Sequence, residues 1–144
     1  MSASLPPLQT LLAAPPGRRR TVRSLAAIAS GVTALLYFGV GIGLLQVTDE
    51  VPAKAAAGGL FEFGASAGAA FVLGALLLFA LDQRVLWVLG ALLQVGVIVM
   101  YVVVGPQRTP SYEVWGLLIK GLQVAILAAL LYLIARPPVP ARGR

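Results

Sequence analysis

The sequence of 144 residues contains no cysteine and no histidine. Without cysteine, the chain has no disulfide, no thiolate metal site, no iron–sulfur cluster and no cysteine nucleophile. Without histidine, it lacks the usual haem ligand, the commonest metal ligand and the commonest general base. These absences predict that the protein is not an enzyme of the ordinary redox or hydrolytic types, and we expect no cofactor.

Charged residues are also scarce, because Asp, Glu, Lys and Arg together make up only 11% of the chain. A soluble domain carries about 25% charged residues, which keep its surface wetted. Here 59% of the residues are hydrophobic and the mean hydropathy is +0.92, so we expect lipid to be the main solvent. The net charge of +6 comes mostly from the chain ends. That distribution indicates membrane topology, and no nucleic acid partner is expected.

Four long apolar runs follow a proline- and arginine-rich tail, residues 1–23, which we expect to be disordered. Each run is long enough for a helix to cross ~30 Å of hydrocarbon at 1.5 Å per residue. Membrane β-strands are about half that length. The predicted fold class is therefore all-α, a polytopic membrane protein whose residues 24–135 form a four-transmembrane-helix bundle. The predicted helices are 24–47, 59–81, 85–105 and 112–135, followed by a basic tail, 136–144.

The orientation in the membrane follows from the lysines and arginines of the connections, since cytoplasmic segments carry the excess. Lys54 and Arg108 lie in the two connections predicted for the outer side. Eight arginines lie on the other side: Arg18, Arg19, Arg20, Arg23, Arg84, Arg136, Arg142 and Arg144. The imbalance predicts that both termini lie in the cytoplasm.

Small residues recur four positions apart in three of the runs. In lipid the hydrophobic effect does not drive helices together, so close packing depends on such small residues. They predict either packing within the bundle, or a face that binds a second copy or a larger membrane protein. The residues are Gly39 and Gly43 in the first run, Gly64 and Gly68 in the second, and Gly121 and Ala125 in the fourth.

Lys120 lies inside the fourth apolar run. A charge near the bilayer centre costs about 2.5–3.5 kcal/mol on insertion scales, so the ammonium needs a partner or a route to the headgroups. It can snorkel outward, or pair with Glu113 or with Glu62 at the start of the second run. We expect the pair with Glu62, with Glu113 as a possible third member. The pair would fix which helices are neighbours, or else mark a substrate or ion path.

Two glutamines are predicted near the middle of the membrane. Gln94 in the third run and Gln123 in the fourth lie at similar depth if the two runs form an antiparallel hairpin. An amide–amide bond there is worth about 0.6–2 kcal/mol. We expect it to join the two helices; the alternative is a small polar spot lining a cavity. The Asp82–Arg84 turn is expected to be an ordinary solvated connector.

Two segments carry a family resemblance: "GLFEFGASAGAAFVLGALLLFALDQRVLWVLGALLQ" and "RTPSYEVWGLLIKGLQ". They resemble the uncharacterised four-helix integral membrane proteins of high-GC bacteria, and the second and third helices resemble the DoxX-type membrane proteins. The resemblance implies a fold and a membrane location, and no established activity. The positions that carry it are Glu62, Trp87, Arg108, Thr109, Pro110 and Glu113.

These observations favour a small, non-enzymatic integral membrane protein with an accessory or interaction role. Its expected partners are the lipid bilayer and either a second copy or a larger membrane protein. The alternative is a small transporter or permeability factor that uses Lys120, Glu62, Gln94 and Gln123.

Overall fold

The structure, a computed structural model, describes residues 16–45, 59–104, 106 and 112–136. This part of the chain contains four helices: α1 (Pro16–Gly41), α2 (Gly59–Ala80), α3 (Arg84–Val104) and α4 (Val114–Ala135). All four are long and apolar enough to cross a membrane. The predicted all-helical class, with four such helices, is confirmed. The predictions for residues 1–15, for Lys54 and Arg108, and for residues 137–144 lie outside the described residues.

The start of α1 differs from the prediction. The helix begins at Pro16, so residues 16–23 are helical and do not belong to a disordered tail. Proline is favoured in the first helical turn, because its missing N–H would have had no helical partner there. Arginine is also a good helix former. The apolar run begins at residue 24, whereas the helix itself begins eight residues earlier.

The end of α1 also differs, since the predicted helix ran on to residue 47. Gly43 has a φ of +74°, and the N–H of Leu44 donates to the carbonyl of Gly39 at 2.9 Å. The N–H of Gly43 donates to the carbonyl of Val40 at 3.1 Å. These bonds form a Schellman motif, in which a glycine takes the left-handed conformation and closes the helix. Gly43 therefore ends α1, and a methyl group added at Gly39 would lie 3.1 Å from the Leu45 side chain. The role predicted for these two glycines, in packing within the bundle or in binding a partner, stays a prediction.

The other helix bounds agree with the prediction within two residues, the usual uncertainty of helix ends. At α4 the difference has a local cause. Tyr112 has a φ of +58°, outside the helical region, so α4 begins at Val114 and not at residue 112.

The two central helices are α1 and α4. Helix α1 packs against both α2 and α4, and α3 packs against α4, as the short connection between them predicted. Although α2 and α3 are consecutive, each packs mainly on a different helix. As a result α1 and α4 supply most of the buried residues, while α2 and α3 expose broad apolar faces.

Small residues allow α1 and α2 to approach closely. A methyl group added at Gly64 would lie 2.5 Å from Cα of Gly41 and 2.6 Å from the carbonyl oxygen of Tyr37. One at Gly68 would lie 2.7 Å from the Phe38 ring. Gly64 and Gly68 thus lie in the contact between α1 and α2, where Gly64 faces Gly41 and Gly68 faces Phe38.

The described core has two parts. The larger part lies at the end of the bundle where α1 begins, and the smaller one lies toward the opposite end. The larger comprises Ala26, Ala27, Leu78, Trp87, Ala91, Ile126, Leu130 and Leu133; the smaller comprises Tyr37, Val40 and Ile119. A group of polar side chains adjoins each part.

Candidate functional site

The first polar group is an ion-pair network, here named the arginine clasp: Arg19, Arg23 and Asp82. The Nη2 of Arg19 lies 2.6 Å from Oδ1 of Asp82, and its Nε donates to Oδ2 at 3.1 Å. Arg23 Nη1 is 3.4 Å from the same Oδ2. The planar guanidinium of Arg19 thus matches the carboxylate at two points, which a lysine ammonium does not reproduce.

Both arginines also bind carbonyls at the ends of other helices. Arg19 Nη1 donates to the carbonyl of Leu133 at 2.9 Å and to that of Arg136. Arg23 donates to the carbonyl of Leu78 through Nε at 3.0 Å, and through Nη2 to Leu78 and Phe79. The last carbonyls of a helix have no partner within it, and the helix dipole favours a cation there. The clasp therefore caps the C-terminal ends of α2 and α4.

Trp87 completes the clasp from α3. Its indole N–H donates to Oδ1 of Asp82 at 3.3 Å, and its ring centroid is 6.0 Å from the Arg23 guanidinium. The Trp87 side chain is buried in the larger core. Because α1 supplies the arginines and the other helices supply carbonyls or Trp87, this one site joins all four helices.

The surroundings of Asp82 hold it in the charged form. Hydrogen bonding from Arg19 is the main cause that lowers the pKa of the Asp82 carboxyl below its ordinary value of 3.8. Partial burial opposes this effect, while the charges of Arg19 and Arg23 and the bond from Trp87 add to it. Residues 82–84 are exposed, as expected for a solvated connector, but that prediction did not include the ion pairs of Asp82 with Arg19 and Arg23. A signal was present, since Arg19 and Arg23 are four residues apart and so share one helix face.

The second polar group, here named the Lys120 cluster, comprises Tyr37, Tyr101, Lys120 and Gln123. The Lys120 ammonium donates to Oε1 of Gln123 at 2.7 Å, and its Nζ is 3.5 Å from the Tyr37 hydroxyl. The amide of Gln123 donates to the same hydroxyl at 3.0 Å. The ammonium also lies 5.0 Å from the centroid of the Tyr101 ring. Gln123 is 0% exposed, so the cluster ties α4 to α1 within the bundle.

The expected partners of Lys120 and Gln123 differ from the observed ones. In the described part of the chain both ion pairs involve Asp82, so the predicted pair of Lys120 with Glu62 is absent there. Glu62 lies exposed in the first turn of α2. Glu113 occupies the N-cap position of α4, near Tyr101, without a side-chain capping bond. The sequence analysis did not identify Tyr37 as a partner of Lys120 and Gln123, because a neutral tyrosine inside an apolar run does not require a polar partner as a charged residue does.

The predicted amide pair is also absent. Gln123 uses both ends of its amide on Tyr37 and Lys120. Gln94 is buried in α3, and its Oε1 has no hydrogen-bond partner among the described residues. The prediction of a contact between the two glutamines was therefore wrong, and their depth in the membrane stays a prediction.

The small residues of α4 point away from the bundle. A methyl group added at Gly121 meets nothing within 4 Å, and both Gly121 and Ala125 are exposed. They do not pack against the other helices that the structure describes, so a face that binds a second copy or another protein stays the prediction for this pair.

No metal-binding group is evident in the segments that the structure describes, since no three Asp or Glu side chains come together there. Comparison of the chain with protein-family models, curated proteins and solved structures gives no match. The resemblance to four-helix membrane proteins of high-GC bacteria and to DoxX-type proteins therefore stays a prediction. The argument for a function is therefore based on the geometry of the two polar groups.

Proposed function

We propose that the protein is a multi-pass protein of the bacterial plasma membrane, with both termini in the cytoplasm, and that it acts through interaction, not catalysis. Helices α2 and α4 have 22 residues each, or about 33 Å, which suits the ~30 Å hydrocarbon layer. Arg84 and Arg136 lie at the end of the bundle that holds the arginine clasp. This grouping of arginines supports a cytoplasmic position for that end.

The burial of Gln123 is the main observation that supports a role other than catalysis or transport. Its side chain is 0% exposed, and both ends of its amide are bonded within the protein. A transport path requires polar groups that face water and exchange partners with the substrate. Here Lys120, the most costly group in the apolar layer, is bonded to Gln123 and faces Tyr101, which supports a role in fixing the position of α4.

The transporter alternative requires Lys120, Glu62, Gln94 and Gln123 around one water-filled path. Glu62 is instead exposed on α2, and Gln94 is buried in α3, where its Oε1 makes no hydrogen bond to the Lys120 cluster. Two cavities lined by described residues lie elsewhere, one on the outer face of α3 and one beside the arginine clasp. We therefore favour the interaction role.

The exposed pair Gly121 and Ala125 supplies a surface on which the backbone of another helix can approach α4. The test is capture of the tagged, full-length chain from native membranes in mild detergent, followed by mass spectrometry. We expect a stoichiometric membrane partner or a second copy, and we expect Gly121→Leu to remove it. Gly74→Leu is the matched control, since Gly74 on α2 also has open space around its α-carbon.

Two results would contradict the proposal. One is a chain that stays alone at native abundance in mild detergent while its deletion has a phenotype. The other is a Lys120→Met variant that is as abundant and as thermally stable as the wild type yet loses that phenotype. The second result would favour transport, because it would make the ammonium necessary for function without being necessary for the fold.

A further inference from the structure

Helix α1 is longer than the hydrocarbon layer requires. Its 26 residues span about 39 Å, compared with ~30 Å of hydrocarbon, so about 9 Å projects beyond it. Its arginines lie in the first two turns. In the membrane location proposed above, on which this inference rests, those turns lie at the depth of the lipid headgroups.

A cavity of about 300 Å³ opens beside these turns, between α1 and the last turn of α2. Its polar lining consists of Arg19, Arg20, Arg23, Ser24 and Asp82. Three guanidinium groups thus face one carboxylate, which leaves the cavity with an excess of positive charge.

The three arginines of this cavity differ in how far their guanidinium groups are already bonded within the protein. Arg19 is 7% exposed at its side chain and makes four hydrogen bonds, two to Asp82 and two to carbonyls at the end of α4. Arg23 is bonded mainly to the α2 carbonyls. Arg20 is exposed, and within residues 16–45, 59–104 and 112–136 its side chain has no hydrogen bond or ion pair. Its guanidinium is therefore available to an external anion, and the neighbouring Ser24 hydroxyl supplies another donor.

The opposite wall of the cavity is apolar and continues onto the outside of α2. Leu78 and Phe79 line it, and Phe79 is 58% exposed. Leu76, three residues earlier, is also exposed and lies on the same side of the helix. An anion bound at Arg20 would therefore have a hydrocarbon-compatible surface directly next to it.

We infer that this cavity binds the phosphate headgroup of an anionic phospholipid. Arg20 and Ser24 hold the phosphate oxygens, and the acyl chains lie along Phe79 and Leu76. The charge excess selects an anionic headgroup over a zwitterionic one. The adjoining apolar wall and the depth of the site select a lipid over free phosphate.

The test uses the full-length chain in a mild neutral detergent, with native mass spectrometry as the readout. The probes are phosphatidylglycerol and phosphatidylcholine with identical acyl chains. We expect tighter binding of phosphatidylglycerol, and we expect Arg20→Gln to weaken it about fivefold, which corresponds to ~1 kcal/mol for one basic residue. Binding of phosphatidylcholine should not change.

Arg18→Gln is the matched control, because Arg18 is exposed and adjacent but does not line the cavity. Equal losses in the Arg18 and Arg20 variants would overturn the site in favour of diffuse attraction. Equal affinity for the two lipids would overturn it as well. So would displacement of phosphatidylglycerol by an equal concentration of inorganic phosphate at constant ionic strength, since free anion would then be the ligand.

Failure of this inference and failure of the proposed membrane location give different results. A chain recovered without detergent as a soluble monomer would contradict the location. A chain extracted from membranes that binds both lipids equally would contradict the headgroup site alone.

Discussion

Arg19 and Asp82 are 63 residues apart in the sequence and form a two-point ion pair, with Nη2–Oδ1 at 2.6 Å and Nε–Oδ2 at 3.1 Å. The pair joins the start of α1 to the turn between α2 and α3. Because the same guanidinium also binds the carbonyls of Leu133 and Arg136, it holds the end of α4 in place as well. One side chain thus connects segments that the sequence separates widely.

Replacing Asp82 with asparagine should destabilise the bundle. The substitution keeps the shape of the side chain but leaves Arg19 without an anionic partner. Asp82 is 30% exposed, so we expect a loss of about 1.5–3 kcal/mol, typical of hydrogen bonds to charged groups, and not the 3–5 kcal/mol of a fully buried pair. Thermal unfolding in detergent, followed by circular dichroism, measures the change. Arg18→Gln should leave the melting temperature unchanged. If the Asp82→Asn variant also melts at the wild-type temperature, the ion pair contributes nothing to stability.

The arginine clasp should also make stability depend on pH. The pKa of Asp82 is lowered in the folded protein from its ordinary value of 3.8, mainly by the bond from Arg19. A lowered pKa stabilises the fold at pH values above the ordinary pKa, and this contribution disappears as the pH falls through the folded value. We expect the melting temperature to decrease below about pH 4. The Asp82→Asn variant should show a smaller decrease, and parallel curves for the two proteins would contradict this assignment.

Gly64→Ala should weaken the contact between α1 and α2. The added methyl group would meet the backbone of Gly41 and Tyr37 at 2.5–2.6 Å, and backbone atoms cannot rotate away. Overpacking of this kind costs about 1–3 kcal/mol. The same substitution at Gly74 meets open space, so it should be neutral or slightly stabilising. Comparison of the two melting temperatures in one detergent tests the close approach, and equal values would contradict it.

The bond between Tyr37 and Gln123 should appear as a coupling energy. We expect a double-mutant cycle with Tyr37→Phe and Gln123→Leu to give an interaction of about 0.6–1.7 kcal/mol, the range found for hydrogen bonds between membrane helices. Free energies of unfolding in mixed micelles provide the measurement. A cycle with Tyr37→Phe and Gln94→Leu is the control, because Gln94 has no bond to Tyr37. Additive effects in the first cycle would exclude a direct interaction.

Much of the fold follows from local composition. The runs that became α2, α3 and α4 were predicted within two residues at each end, because an apolar run of this length has few other ways to satisfy its backbone. The ends of α1 were not predicted. Its start is helical although its four arginines keep it outside the apolar run, and its end depends on Gly43 adopting a positive φ. Neither feature changes the hydropathy that defined the run.

The polar groups were only partly predictable for a related reason. Sequence position indicated that Lys120 needs a partner and that Gln123 lies deep, and the structure places both in one cluster. Charge alone suggested Glu62 as the partner, but the contacts of Lys120 with the described part of the chain include three neutral side chains, Tyr37, Tyr101 and Gln123. Which neutral groups meet depends on how the helices are rotated about their axes, and hydropathy does not contain that information.

By itself, the sequence determined that this chain forms four helices long and apolar enough to span a membrane, because length and hydrophobicity act on each segment separately. Only the tertiary structure decided that Asp82 lies between two arginines and a tryptophan, that Gly121 faces outward and that Gly64 faces inward. These outcomes depend on which helices are neighbours and which faces they present. The arrangement of the helices results from contacts between segments that are distant in the sequence. The free energy of such a contact belongs to both segments and cannot be read from either one alone.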